Sequence, residues 1–239
     1  MTNTNNSLEK NFKSSKVKLK KKLDNFPRYV ERREIATFIN RNEIYKKILS
    51  NHGCIIDCGV NQGSSLFTWM HLRNIYEPYN SSRYIYGFDT FDGFYSLDRL
   101  KDSKGIYLDK QKFKNFSYNQ SYEEINESLK YHESVQVTKH LPKTEIIKGD
   151  AIKTIPKFIK DNPHTFISLL HLDFDIYQPT KVALRTFIKR MSKGAIIAFD
   201  ELGCHEGPGV TLATLEEIGI KNYKVNRNQY DSFLCYIEL

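Results

Sequence analysis

The order of apolar and polar positions along the chain predicts strands that alternate with helices. Short apolar runs that end near glycine or an acid predict buried strands at 54–59, 83–89, 144–150, 165–175 and 194–202. Between them, apolar residues recur at helical spacing and predict helices at 64–76, 151–163, about 179–191 and 209–220. Strands and helices in this alternation are typical of a parallel sheet that is covered on both faces.

Both ends of the chain extend this pattern. Residues 26–50 have apolar positions at a helix-like spacing, with two possible segments. Residues 223–228 and 232–239 are alternating runs, which predict a terminal hairpin. We therefore predict an α/β fold with a doubly wound sheet that is mostly parallel and ends in an antiparallel hairpin. The main domain is expected over residues 51–239, after an N-terminal helical segment at 26–50.

A long segment at about 92–142 interrupts the alternation. It is rich in Tyr, Lys, Asn and Ser, and the capping box SYEE at 121–124 predicts a helix within it. The segment follows the carboxyl end of a strand, where open α/β sheets bind their ligands. We interpret it as a lid or substrate-recognition element, and a role in packing or oligomerisation is the alternative.

The charge of the chain is concentrated at its N-terminus. Residues 1–22 hold seven lysines and one glutamate, a formal charge of +6 out of +8 for the whole chain. The nearly neutral remainder argues against nucleic acid as a partner. Residues 1–25 are predicted to form a basic, disordered tail, with a polybasic membrane or nucleic-acid contact as the alternative. No apolar run is long enough to span a membrane, and the tail is not expected to be a signal peptide, because no apolar h-region follows the lysines.

The cysteines favour a cytoplasmic protein with free thiols. Cys54, Cys58, Cys204 and Cys235 lack the paired spacing of a zinc site. Cys54 and Cys58 lie within a predicted buried strand, so we interpret them as structural thiols in a reducing compartment.

Acids follow the predicted strands at their carboxyl ends. These residues are Asp89, Asp150, Asp173, Asp175, Asp200 and Glu201. Because the carboxyl ends of a doubly wound sheet line one edge, we expect the acids to converge on one crevice. A helix-capping role is the structural alternative for each acid taken singly.

The turn after the first strand indicates the ligand. The run DCGVNQGSS supplies the candidate cofactor-binding residues Asp57, Gly59, Gly63, Ser64 and Ser65. It departs from the dinucleotide fingerprint, because Asn61 stands where a second glycine lets a pyrophosphate approach.

Two further positions extend the predicted cofactor site. Asp89 is placed to bond ribose hydroxyls, and Asp150 with Ala151 to meet an adenine. These positions together predict an adenosine-type cofactor without phosphates.

Several segments carry a resemblance to a known family. The runs IIDCGVNQGSS, YIYGFDTFDGF, EIIKGDAIKTIPKFI, LLHLDFDIYQPTKVAL and GAIIAFDELG with EGPG resemble, in order and spacing, the macrocin O-methyltransferase (TylF-like) family. The nearest resemblance is to its dTDP-6-deoxy-L-hexose 3-O-methyltransferase branch, over residues 26–239. It implies a class I methyltransferase fold, S-adenosylmethionine and Mg²⁺ as cofactors, a nucleotide-linked sugar as acceptor, and a homo-oligomer.

The resemblance also implies roles for the acids. Asp175 corresponds to the general base, and Asp173, Asp200 and Glu201 to the metal ligands. Many relatives have aspartate where this chain has Glu201. Oxygen-only ligands suit Mg²⁺, which would lower the pKa of an acceptor hydroxyl. Asp173 and Asp175 are two positions apart on the predicted strand, so we expect their side chains to point the same way.

The function predicted from the sequence is metal-dependent methyl transfer to a deoxysugar hydroxyl. A small-molecule or phenolic O-methyltransferase is the closest alternative, since Tyr95, Tyr107, Tyr118 and Tyr122 suit a sugar or an aromatic acceptor equally well. A non-enzymatic interaction module on a degenerate methyltransferase fold is a further alternative. A nicotinamide-dependent oxidoreductase needs a pyrophosphate turn that this chain lacks.

Overall fold

The strands form one sheet in the part of the chain that the computed structural model describes, residues 5–102, 119–205, 207–230 and 233–239. They are β1 (Cys54–Cys58), β2 (Ile85–Asp89), β3 (Thr144–Lys148), β4 (Ile167–Leu172), β5 (Met191–Phe199), β6 (Asn226–Arg227) and β7 (Cys235–Glu238). Their order in the sheet is β3-β2-β1-β4-β5-β7-β6. The pairs among β1 to β5 are parallel, whereas β7 pairs antiparallel with β5 and β6. The predicted mostly parallel sheet with an antiparallel C-terminal hairpin is confirmed.

Helices connect the parallel strands. The described helices are α1 (Asn5–Ser14), α2 (Leu19–Asp24), α3 (Arg32–Lys47), α4 (Ser64–Tyr76), α5 (Asn119–Val135), α6 (Ala151–Asp161), α7 (Tyr177–Phe187) and α8 (Pro208–Glu217). The segment 26–50 forms one long helix, α3, after a short 3₁₀ turn at Phe26–Arg28. The helix predicted from the capping box is present as α5, and Tyr107 and Tyr118 lie outside the described residues.

Each central strand contributes to two apolar cores. Successive side chains of a strand point to opposite faces, so neighbouring residues separate between the two sides of the sheet. Ile55 packs into the core that contains Trp69 of α4, and Ile56 into the core that contains Phe187 of α7. All five residues of β1 are buried, as expected for a strand covered on both faces.

The strand predicted over 165–175 is shorter than expected. β4 ends at Leu172, and Asp175 has a φ of 64°, in the left-handed region that ends a strand. Asp173 and Asp175 therefore lie in the loop after the strand. Strand alternation thus does not determine the directions of their side chains, and the expectation that both point the same way stays a prediction.

The N-terminal segment differs from the disordered tail predicted from its composition. Residues 5–24 contain α1 and α2, and the ring of Phe12 meets the ring of Tyr29 edge-on at 5.2 Å. The ammonium group of Lys22 lies 4.7 Å from the centre of the Phe12 ring and donates to the Phe12 carbonyl. Composition does not predict these contacts, because they depend on where one aromatic ring, that of Phe12, lies relative to Lys22 and Tyr29. No described helix is long and apolar enough to cross a membrane.

The thiols of β1 are expected to be unreactive in the native protein. Burial raises the pKa of Cys54 to about 12, and it raises the pKa of Cys58 well above the ordinary value of a thiol. Because the thiolate is the reactive form, a maleimide at about pH 7 should spare both residues and modify them after unfolding in urea. Mass spectrometry of labelled peptides measures this, with the less buried Cys204 as the internal control. Native labelling of Cys58 at the rate of Cys204 would contradict the buried position of β1.

Candidate active site

A cleft with about 780 Å³ of open space lies at the carboxyl edge of the parallel strands. Six of the residues predicted from the sequence line it: Gly59, Asp89, Asp150, Ala151, Asp173 and Asp175. They come from the ends of β1, β2, β3 and β4, so the expected convergence on one crevice is found for these residues. Asn61, Phe91 and Tyr95 also line the cleft.

At Gly59 the turn after β1 lies against the backbone of the loop after β4. Its φ is 92°, and a Cβ atom built on it would lie 1.9 Å from the carbonyl oxygen of Asp173. The backbone N–H of Asp173 donates to the carbonyl of Cys58 at 2.8 Å, which continues the β1–β4 pairing past both strands. Only glycine fits this position, because it tolerates the positive φ and has no Cβ atom to collide with the carbonyl oxygen.

The carboxylate of Asp89 organises the loops on either side of it. Its Oδ2 accepts a hydrogen bond from the N–H of Asn61 at 2.8 Å, and its Oδ1 accepts one from the N–H of Phe91 at 2.7 Å. Burial raises the pKa of Asp89, although these two hydrogen bonds act in the opposite direction. Each oxygen has a second lone pair, so the carboxylate can accept further bonds from hydroxyl groups.

Asp150 has the helix-capping role considered as its structural alternative. Its Oδ1 accepts from the N–H of Ile152 at 3.1 Å and caps α6, and its Oδ2 lies 3.5 Å from Oγ of Ser96. Ala151 follows at 4 % exposure. The capping bond leaves the acid at the cleft wall, so capping and ligand binding are compatible here.

Backbone strain is concentrated beside these acids. Among the described residues, the non-glycine residues with a left-handed φ are Asn61, Phe91, Ser96, Asp175 and Glu201. The first two donate to Asp89, the third contacts Asp150, and the last two are themselves predicted site residues. Such conformations persist where the surrounding contacts determine them, and they cluster at functional sites.

The acids after β4 and β5 affect one another electrostatically. Burial and the neighbouring carboxylates of Asp200 and Asp175 raise the pKa of Asp173 well above its usual range, against the opposing charge of Arg41. Asp200 and Glu201 follow β5, which pairs with β4. In the described ranges, no group of three or more His, Cys, Asp or Glu side chains has the spacing of a metal site.

Asp57 does not line the cleft. Its carboxylate accepts from Oγ of Ser65 at 2.7 Å and from Nε1 of Trp69 at 3.2 Å, and it lies 2.7 Å from Nδ1 of His171. Asp57 is 0 % exposed and His171 is 1 % exposed. This network joins β1, α4 and β4 next to the turn at residues 59–63 between β1 and α4, which we call the cofactor turn. Cofactor contacts of Asp57 and Ser65 stay predictions that these hydrogen bonds do not support.

The start of α4 brings in a residue that the sequence reasoning missed. Gly63 is the N-cap with a φ of 89°, and Nη1 of Arg41 donates to Oγ of Ser64 at 3.0 Å. A signal was present, because Arg41 shares one face of α3 with the apolar residues Ile44, Tyr45 and Ile48. A charged residue on an inward helix face indicates a specific partner.

Comparison with known proteins identifies the family. A family model described as macrocin-O-methyltransferase (TylF) matches residues 35–220. The chain belongs to the macrocin-O-methyltransferase family. The comparison with curated proteins finds no match.

This macrocin-O-methyltransferase family member is also similar to solved structures. One structure of CalS11, a calicheamicin methyltransferase, is 29% identical with a TM-score of 0.91, and the match covers 98% of this chain and 91% of that chain. An apo structure of CalS11, described as a TDP-rhamnose 3'-O-methyltransferase, is 27% identical with a TM-score of 0.84 and covers 98% and 92%. The O-methyltransferase NovP, at 15% identity, a TM-score of 0.63 and coverage of 85% and 79%, shares the fold.

These similarities confirm the predicted family and the class I methyltransferase fold. The protein is an O-methyltransferase that uses S-adenosylmethionine, and the alternative of a non-enzymatic module is set aside.

Proposed function

We propose that this O-methyltransferase transfers the methyl group of S-adenosylmethionine to a hydroxyl of a nucleotide-linked deoxysugar, with Mg²⁺ bound beside the reacting atoms. The observation that carries the proposal is the similarity to CalS11 over 98% of the chain, because one CalS11 structure is described as a TDP-rhamnose 3'-O-methyltransferase. The catalytic, cofactor-binding and metal-binding roles below belong to the same proposal.

The strand order supports a direction for the cofactor. Asp150, Asp89, Gly59 and Asp173 follow β3, β2, β1 and β4, which are neighbours in that order. Adjacent strands are about 4.8 Å apart, so the carboxyl ends of β3 and β1, which precede Asp150 and Gly59, are about 10 Å apart along the cleft. We place the adenine at Asp150 and Ala151, the ribose hydroxyls at Asp89, and the sulfonium near Gly59. The acceptor then lies on the side of Asp173 and Asp175.

The acids beyond Gly59 have the donor chemistry that a hard divalent cation prefers, although the described side chains do not have the spacing of a formed metal site. Asp173, Asp200 and Glu201 offer only oxygen donors, and a cation would offset the burial and the neighbouring carboxylates that raise the pKa of Asp173. When bound there, Mg²⁺ supplies electrostatic stabilisation for a sugar alkoxide. Glu201 would reach such a cation with a side chain that is one methylene longer than that of aspartate.

Asp175 is the proposed general base. Its carboxylate accepts the proton of the acceptor hydroxyl, the oxygen forms a bond to the methyl carbon, and the carbon–sulfur bond breaks. The electron pair of that bond stays on sulfur and gives neutral S-adenosylhomocysteine. The chain contributes mainly by holding the acceptor oxygen, the methyl carbon and the sulfur atom in line within the cleft.

A product assay tests the proposal. The purified protein is incubated with S-adenosylmethionine, Mg²⁺ and a panel of TDP-linked deoxysugars, beside a panel of catechols. We expect mass spectrometry to detect one added methyl group on a sugar nucleotide, and EDTA to abolish the product. Methylation of catechols alone would overturn the sugar acceptor, and full activity in EDTA would overturn the metal. Homo-oligomerisation and a cytoplasmic location stay predictions.

A further inference from the structure

Arg41 is a buried cation that the proposed mechanism does not use. It lies on α3 and is only 9 % exposed, and the adjacent residues of the same helix face, Ile44 and Tyr45, are 0 % exposed. Removing a guanidinium from water is costly unless its donors are satisfied by an acceptor, preferably an anionic one. The charge of Arg41 already acts on the carboxylate of Asp173, but its hydrogen-bond donors require acceptors of their own.

The contacts of Arg41 leave part of the guanidinium unsatisfied. Nη1 donates to the hydroxyl of Ser64 at 3.0 Å, which is a neutral acceptor. The buried Nε atom has no hydrogen-bond partner among the described residues. Ser64 itself is exposed, so a ligand can reach the guanidinium from the solvent side.

The guanidinium meets the N-terminus of a long helix. Ser64 is the first residue of α4, which has 13 residues, and Gly63 as N-cap supplies no side-chain capping bond. The hydroxyl of Ser65 is turned inward to Asp57, at 2.7 Å. The first turn of α4 therefore presents backbone N–H groups and the positive end of the helix dipole next to Arg41. A buried cation and a helix N-terminus together favour an anionic ligand.

The surrounding surface has room for a small anion. Arg41 and Ser64 border a groove between α3 and α4 with about 440 Å³ of open space. Arg33 and Glu34 border the same groove, and their opposite charges offset each other. The turn that ends at Gly63 begins at Gly59 and passes Asn61, both of which line the cofactor cleft. The groove is thus connected by one short turn to the place proposed for the sulfonium.

We propose that Arg41, Ser64 and the first turn of α4 bind the carboxylate of the methionine moiety of S-adenosylmethionine. A guanidinium matches the planar carboxylate in a two-point contact, and one such group satisfies the donors that Ser64 leaves free. Arg41 is then a cofactor-binding residue that acts at the end of the cofactor opposite the adenine. The inference rests on the use of S-adenosylmethionine and on the proposed cofactor direction, and it is independent of the acceptor.

The test compares two ligands that differ in the methionine moiety. Binding of S-adenosylhomocysteine and of 5'-methylthioadenosine, which lacks the amino acid, is measured by titration calorimetry without any acceptor. We expect Arg41→Met to weaken S-adenosylhomocysteine by between about 10-fold and about 100-fold and to leave 5'-methylthioadenosine within about 2-fold. Arg32→Met is the matched control, because it removes one exposed positive charge at the start of the same helix.

Each outcome decides the inference. Thymidine diphosphate is titrated as a third ligand. Equal weakening of the two adenosine ligands by Arg41→Met would show a structural role, and unchanged binding of S-adenosylhomocysteine would show that Arg41 does not hold the carboxylate; both results overturn the inference. In the second case, weaker binding of thymidine diphosphate would assign the site to the nucleotide carrier. If Arg41→Met does not fold, Arg41→Lys keeps the charge but loses the two-point contact, and the same selective loss is expected at smaller size. Because no sugar is present, a wrong acceptor leaves this result unchanged.

Discussion

Replacing Asp175 with asparagine is expected to lower kcat by about 10²- to 10⁴-fold, the usual contribution of a positioned general base. Asparagine tolerates the left-handed backbone of this position as well as aspartate does, so the loop after β4 keeps its conformation. The variant keeps its hydrogen-bonding oxygen but has no carboxylate to accept a proton. Single-turnover methyl transfer measures the effect, beside the affinity for S-adenosylhomocysteine.

The control for this variant is Asp161→Asn, which makes the same change in an exposed residue of α6. We expect the control to retain the parent activity. Asp175→Asn should bind S-adenosylhomocysteine and Mg²⁺ like the parent protein. A matching loss of Mg²⁺ affinity would assign Asp175 to the metal, and retained turnover would assign the proton transfer to another group.

Replacing Gly59 with alanine is expected to destabilise the fold by more than about 3 kcal/mol, in the range of severe single substitutions. Two effects add at this position. A left-handed backbone costs about 1 kcal/mol for a residue with a Cβ atom. The new methyl group would also lie 1.9 Å from the Asp173 carbonyl oxygen, so either the cofactor turn or the loop after β4 has to move.

Gly219 provides the matched control for this substitution. It also has a positive φ, of 63°, but no atom beyond its chain neighbours lies within 4 Å of the place that an added methyl group would take. Gly219→Ala should therefore cost about 1 kcal/mol from the backbone alone. Urea unfolding of the three proteins gives both free energies of unfolding. Equal costs for the two substitutions would contradict the close approach of the β1 and β4 ends.

The sequence was sufficient for the fold because hydrophobic period and length agree in most elements. The five predicted parallel strands are all present, and the predicted helix at 64–76 matches α4 in both bounds. The end of β4 was misjudged since Asp175 follows an apolar residue, as a strand residue would, and only its φ shows that the chain has turned. The local sequence pattern predicts which residues are buried, but it does not predict the torsion angle of one backbone bond.

The site was predicted in part for a related reason. Position at a strand end was enough to bring Asp89 and Asp173 to the cleft, because topology fixes where strands end. Position at a strand end did not distinguish Asp89 and Asp173 from Asp57. The carboxylate of Asp57, which lies within β1, is instead hydrogen-bonded to Trp69 and His171. The pairing of Arg41 with Ser64 joins residues 23 positions apart, and no local pattern encodes such a contact. Side-chain direction and long-range pairing are properties of the packed molecule.

The contact between Gly59 and the backbone of Asp173 separates two tasks that an enzyme of this kind has to perform. If the proposed roles hold, main-chain atoms at the ends of two core strands set the separation between the methyl donor and the base, whichever acceptor is bound. Under the proposed function, acceptor recognition is expected from the cleft wall around Tyr95, which belongs to the insertion after β2. Substitutions around Tyr95 are then expected to alter acceptor preference without moving the Gly59–Asp173 contact that sets the reaction geometry.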